Sequence, residues 1–117
     1  MELNEIIKIQ NDFDEKHGWL MTEKNIQSYI NYLSQDSIGL LGELGEFANH
    51  IKKLNILVDH EEELSSTFED IKSKLQGEIV DVFVYLVRLS THLDMDLEKK
   101  YLEKLSFNAE RFKKYEN

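Results

Sequence analysis

The chain has 117 residues with no proline and only five glycines, so the two residue types that most often end regular structure are nearly missing. Leu, Ile, Glu and Lys are abundant instead, and that vocabulary favours helix throughout. The expected fold is therefore all-α, a bundle of four to five helices. One domain spanning residues 1–117 suits this length, which allows roughly two thirds of the unfolded surface to be buried. Cysteine is also absent, which removes disulfides, thiolate metal sites and thiol nucleophiles together. Fourteen basic against twenty-three acidic residues give a formal charge of −9, and that balance repels a phosphate backbone, so a nucleic-acid partner is not expected. No apolar run approaches the ~20 residues needed to cross a bilayer. The start, MELNEIIKIQND, carries charges where a signal peptide needs an apolar stretch. The expectation is a cytoplasmic protein with no membrane partner.

Apolar spacing divides the chain into segments. A first helix is expected over residues 2 to 16, ending near His17-Gly18, where glycine can take the left-handed conformation of a helix cap. A second over 22 to 34 has Thr22 as a candidate N-cap. A third over 37 to 54 carries Leu40, Leu44, Phe47, Ile51 and Leu54 at spacings of three and four. Residues 55 to 66, NILVDHEEELSS, combine a short apolar run with an acidic cluster and read as a loop, with Ser66 as a candidate cap for the next helix, expected over 67 to 91. That helix contains LQGEIVDVFVYLVRLS, apolar almost all the way round, which belongs in the middle of a bundle. A last helix is expected over 94 to 115, with its basic end near the negative pole of the helix dipole. There is no repeat of solenoid length and no domain boundary.

Two of these helices carry carboxylates three residues apart: Glu43 and Glu46 in GLLGELGEFANHIKK, and Glu78 and Asp81 in GEIVDVFVYL. Residues at that spacing share a helix face. The first pair borders the Leu40, Leu44, Phe47 stripe, and taken alone it reads equally as a solvated ExxE. The second interrupts a helix with apolar residues on its other faces, where a bare carboxylate would be protonated or would destabilise the fold. Four converging carboxylates repel one another unless a cation offsets them. Oxygen donors without thiolates suit a hard ion such as Mg²⁺, with Mn²⁺ as a second choice. The last helix places Lys104, Asn108 and Arg111 at spacings of four and three. Two cations and an amide on one face suit a phosphate chain, and equally form an ordinary solvated face. His17, His50, His60 and His92 form no ligand spacing and read as surface or supporting residues. Trp19 follows a helix end and can plug the core. Gly39, Gly42 and Gly45 suit close helix approach. No phosphate-loop, dinucleotide or nucleophile-elbow motif occurs.

Taken in order, GELGEFANHIKK, GEIVDVFVYL and KLSFNAERF resemble the MazG-like branch of the all-α nucleoside triphosphate pyrophosphohydrolases. That family has an ExxE helix, an ExxD helix after a variable loop, and a Lys and an Asn with a nearby Arg on a closing helix. The resemblance spans roughly residues 36 to 112. It implies a helical bundle that dimerises or assembles further, as a homodimer or homotetramer, with sites built partly at subunit contacts. It implies that Glu43, Glu46, Glu78 and Asp81 hold Mg²⁺, that Lys104, Asn108 and Arg111 contact phosphates, and that Trp19 in His17-Gly18-Trp19 lies near the base. The implied reaction splits a nucleoside triphosphate into the monophosphate and pyrophosphate. For such a reaction, a carboxylate not fully committed to metal would orient or deprotonate the attacking water, and Glu46 is the candidate.

The expectation is thus a Mg²⁺-dependent nucleotide pyrophosphohydrolase acting on one triphosphate at a time. The alternative is a non-catalytic helical oligomerisation or regulatory module that keeps the fold. A di-iron carboxylate bundle is disfavoured because neither pair is ExxH.

Overall fold

A computed structural model of the chain describes residues 1–60 and 64–117. Among them, four α-helices and one short 3₁₀ turn account for the regular structure, with no strand: α1 (Leu3–Lys16), α2 (Ile26–Asp59), α3 (Leu64–His92), α4 (Leu97–Arg111) and the 3₁₀ turn Lys113–Tyr115. None of these helices is long and apolar enough to cross a membrane.

α1 ends as its glycine requires. Gly18 adopts φ +72°, the Gly18 N–H donates to the Glu15 carbonyl and the Trp19 N–H to the Asp14 carbonyl at 2.9 Å. This paired closure is a Schellman turn, which reverses the chain in two residues. It carries Trp19 back beside the last turn of its own helix. α3 ends in the same way, with Asp94 in the left-handed position (φ 53°) and the Met95 N–H closing onto the Ser90 carbonyl. Lys24 and Tyr29 hold the Asp94 carboxylate at 3.0 and 2.8 Å, so the turn after α3 is tied to the start of α2.

Where two helices and a loop are expected over 22 to 66, the structure has one helix of 34 residues. Nothing in Ser34-Gln35-Asp36-Ser37 breaks it. Without proline or a glycine cap there, the interior hydrogen bonds simply continue. The N-cap is Asn25, whose side chain accepts from the Ser28 N–H at 2.9 Å, rather than Thr22. The apolar run of Ile56, Leu57 and Val58 extends α2, and α3 begins at Leu64, so Ser66 lies inside a helix. The acidic cluster Glu61 to Glu63 falls outside the described residues. Asp96 caps α4 by accepting from the Lys99 N–H.

α2 and α3 form the main packing pair, and α1 packs on α3. His92 meets Asp36 at the C-terminal end of α3, and Glu78 meets His50 midway along the pair. Fourteen residues up α2 thus match fourteen residues down α3, which makes the helices antiparallel. Gly39 admits the ring of Tyr85 onto the α2 backbone, since a Cβ there would sit inside the ring, whereas Gly42 and Gly45 face open space and bring no helix close.

α3 does not lie in the middle of a closed bundle. Among the described residues only Leu54, Ile71 and Val87 are buried apolar side chains. Ile38 and Leu41 of α2, and Ile79, Val80, Phe83 and Leu86 of α3, stand on the surface. α4 makes only marginal contact with the other helices. The radius of gyration is 18.5 Å, against about 13 Å for a compact chain of this length. One chain leaves its apolar surface largely uncovered.

Polar ties therefore carry an unusual share of the tertiary structure. Asp14, fully buried, receives Arg88 Nε and Nη2 at 3.0 and 2.9 Å and Gln10 Nε2 at 2.9 Å. Removing one partner of such a pair strands the other charge, a loss of about 3–5 kcal/mol. Asp14→Ala is expected to lower unfolding stability by about 3 kcal/mol or more, measured by urea denaturation followed by circular dichroism, with Lys8→Ala on the exposed face as a near-neutral control.

Candidate functional site

A cavity of about 540 Å³ opens between α2, α3 and the turn after α1, with Trp19, Tyr32, Asp36, Glu43, Asp81 and Arg88 on its walls. Seven residues separate Asp36 from Glu43 on α2 and Asp81 from Arg88 on α3. At ~1.5 Å per residue, each pair spans about 10 Å along its helix. The cavity thus has an aromatic end and an acidic end.

At the aromatic end, Arg88 sits between two rings, its guanidinium carbon 5.3 Å from the Trp19 centroid and 5.2 Å from that of Tyr85. Its hydrogen bonds to Asp14 hold its pKa above the ordinary guanidinium value, against the opposing effect of burial. Trp19 also stacks on His17 at 4.8 Å. The indole is 47% exposed, so it forms a wall of the cavity and does not plug the core. Below it, His92 Nδ1 and Asp36 Oδ2 lie 2.6 Å apart, both residues buried, and the Met21 N–H donates to His92 Nε2 at 3.1 Å.

At the acidic end, Glu43 is half-buried and Glu78 buried, while Glu46 and Asp81 are exposed. Desolvation raises the Glu43 carboxyl above the ordinary glutamate value, and the charges of Asp81, Glu46 and Glu78 raise it further. The four carboxylates therefore share one electrostatic neighbourhood. They do not close on a common point: among the described residues, no three Asp, Glu or His side chains converge as a metal site. His50 Nδ1 lies 2.9 Å from Glu78 Oε1, but the approach is out of line for a hydrogen bond. Both His50 Nδ1 and Glu78 Oε2 remain buried without a hydrogen-bond partner.

Lys104, Asn108 and Arg111 all lie on α4, and none lines this cavity. Lys104 sits over Phe107 and Arg111 over Phe112. Within one chain the structure unites Trp19 with Glu43 and Asp81, and leaves the α4 triad elsewhere. Asp14, Asp36 and Arg88 were not singled out from the sequence, and His92, expected as a surface or supporting residue, is buried against Asp36. Arg88 was the detectable one, as a lone cation within the apolar run VYLVRLS. Asp36 carried no signal, because its partner is 56 residues away.

The chain is similar to the Gene 37 protein of Mycobacterium phage L5, with 35% identity over 85 residues that cover 70% of each chain. No protein-family model matches it, and no solved structure matches it.

A carboxyl that titrates higher when folded than when unfolded makes stability fall as pH rises through its folded pKa. Glu43→Gln removes that burden. In the presence of a chelator the variant is expected to melt at a higher temperature than the parent at pH 7, with the gain vanishing below the ordinary glutamate range, where both side chains are neutral. Differential scanning calorimetry across pH measures this.

Proposed function

We propose that this chain, which belongs to the family of the Gene 37 protein of Mycobacterium phage L5, is a cytoplasmic MazG-like nucleotide pyrophosphohydrolase that uses Mg²⁺, or Mn²⁺ in its place. The observation that carries this reading is a single cavity whose aromatic end lies about 10 Å from a cluster of carboxylates. A nucleotide covers that span from its base to its 5′-phosphate. The buried Glu78 oxygen without a partner and the elevated Glu43 fit a cation that offsets the crowded charge. Glu43, Glu46, Glu78 and Asp81 would hold it, and oxygen donors suit a hard ion. When bound, the cation supplies charge neutralisation at phosphate oxygens and acidifies water.

The remaining roles belong to the chain. Trp19, half exposed on the cavity wall, contacts the base. Glu46, exposed on α2, orients the attacking water and takes its proton as the oxygen bonds to the α-phosphorus. The bond from that phosphorus to the bridging oxygen breaks, leaving nucleoside monophosphate and pyrophosphate. Lys104 and Arg111 offset the charge of the departing pyrophosphate, and the Asn108 amide donates to a phosphate oxygen. Because one chain holds them away from the cavity, this reading assigns them to a second copy in a homodimer or homotetramer. Cover for Ile38, Leu41, Ile79, Val80 and Phe83 supports such an assembly, since apolar patches of this kind mark interaction surfaces.

The rival is a non-catalytic helical module for oligomerisation or regulation, favoured by the absence of a closed carboxylate site among the described residues. Incubation with canonical and modified NTPs and dNTPs plus Mg²⁺ separates the two. The enzyme releases monophosphate and pyrophosphate from at least one of them, and Glu78→Gln lowers the rate by about a hundredfold or more. No turnover across the panel, or an unchanged rate in the variant, leaves the module. Light scattering on the eluting peak is expected to give two or four times 13.8 kDa, and a monomer at micromolar concentration contradicts the shared site.

A further inference from the structure

Asp36 is 4% exposed, yet it forms part of the cavity wall. Its Oδ2 takes the hydrogen bond with His92 Nδ1. The Met21 N–H donates to His92 Nε2, so that nitrogen carries no proton, and the proton of the neutral ring sits on Nδ1 and is donated to Asp36. Oδ1 has no hydrogen-bond partner among the described residues. Arg88, the nearby cation on the same wall, is committed to Asp14 through two bonds and makes no hydrogen bond to Asp36. Oδ1 is open to solvent at the cavity wall, so a ligand that displaces water from it must supply an N–H there or leave the oxygen unpaired.

We propose that Asp36 is a specificity residue for the base, favouring a ring that presents an exocyclic amino group to it, as cytosine and adenine do at the position where uracil and hypoxanthine present a carbonyl. The inference rests on the nucleotide reading of this cavity. A carboxylate offers acceptors and no donor. Cytosine presents an amino group where uracil presents a carbonyl oxygen, and adenine differs from hypoxanthine in the same way. The amino group completes Oδ1, while a carbonyl sets lone pairs against lone pairs. Uracil's one donor, N3–H, lies between two carbonyl oxygens that would meet the carboxylate together. Contact with the exposed part of Trp19 does not tell an amino group from a carbonyl, so the discrimination falls to Asp36. The His92 contact fixes the carboxylate's orientation, and the Met21 contact to the same imidazole ties the Trp19 turn to it.

The test is a set of dissociation constants for the uncleavable α,β-imido analogues of dCTP, dUTP, dATP and dITP in Mg²⁺, by calorimetry with Trp19 fluorescence as a second readout. The amino member of each pair that binds is expected to bind roughly tenfold or more tightly than its keto partner. In Asp36→Asn the amide oxygen still accepts from His92 and the NH₂ now faces the cavity as a donor, so the order within the pair reverses. Equal affinity within the pairs, or a keto preference in the parent protein, overturns the role of Asp36 and leaves the nucleotide site standing. No binding of any of the four overturns both. The parent protein decides between these outcomes even if Asp36→Asn does not fold.

Discussion

The ion pair between Asp14 and Arg88 joins α1 to α3 and positions the aromatic end of the cavity. A carboxylate with no exposure is tolerable only when its charge and lone pairs are matched, and here two guanidinium bonds and the Gln10 amide match them. The Schellman turn that follows Asp14 within a few residues brings Trp19 onto the same guanidinium. One interaction thus places a helix, orients an indole and occupies the nearest cation. What the Trp19 end of the cavity can recognise follows from that commitment of Arg88.

The antiparallel α2 and α3 pair carries the rest. Its register is marked by His92 against Asp36 and His50 against Glu78, and between them Gly39 admits the Tyr85 ring. Few apolar side chains are buried in this pair. The outer faces keep Ile38, Leu41, Val80 and Leu86 in contact with water, a large area of unused hydrophobic driving force. Polar ties hold the single chain in register while its apolar surface stays available for association.

The acidic end works against folding. Glu43 is disfavoured as an anion by its own desolvation and by three neighbouring carboxylates, and Glu78 keeps a buried oxygen without a partner. Sites that concentrate unbalanced charge in this way commonly serve binding or chemistry, because stability alone would select against them. Four of the twenty-three acidic residues thus share one neighbourhood, where their repulsion acts together.

Helix content, the first helix with its Gly18 closure and the presence of carboxylates on two facing helices were legible in the sequence, because each depends on residues within a turn or two of one another. The break near residue 35 and the loop over 55 to 66 were misread: without a proline or capping glycine, local propensity has no means of stopping a helix. The pairing of Asp36 with His92, the commitment of Arg88 to Asp14 and the placement of Trp19 beside Glu43 and Asp81 were decided by tertiary structure alone. They join residues more than fifty positions apart or across three elements, and no periodicity encodes which face of one helix meets which face of another. The same holds for Lys104, Asn108 and Arg111, whose spacing on one helix is local while their distance from the carboxylates depends on how α4 packs. The sequence by itself determined the kinds of side chain available, oxygen donors without sulfur on uninterrupted helices. The fold decided which of them share a cavity and which are already spent holding it open.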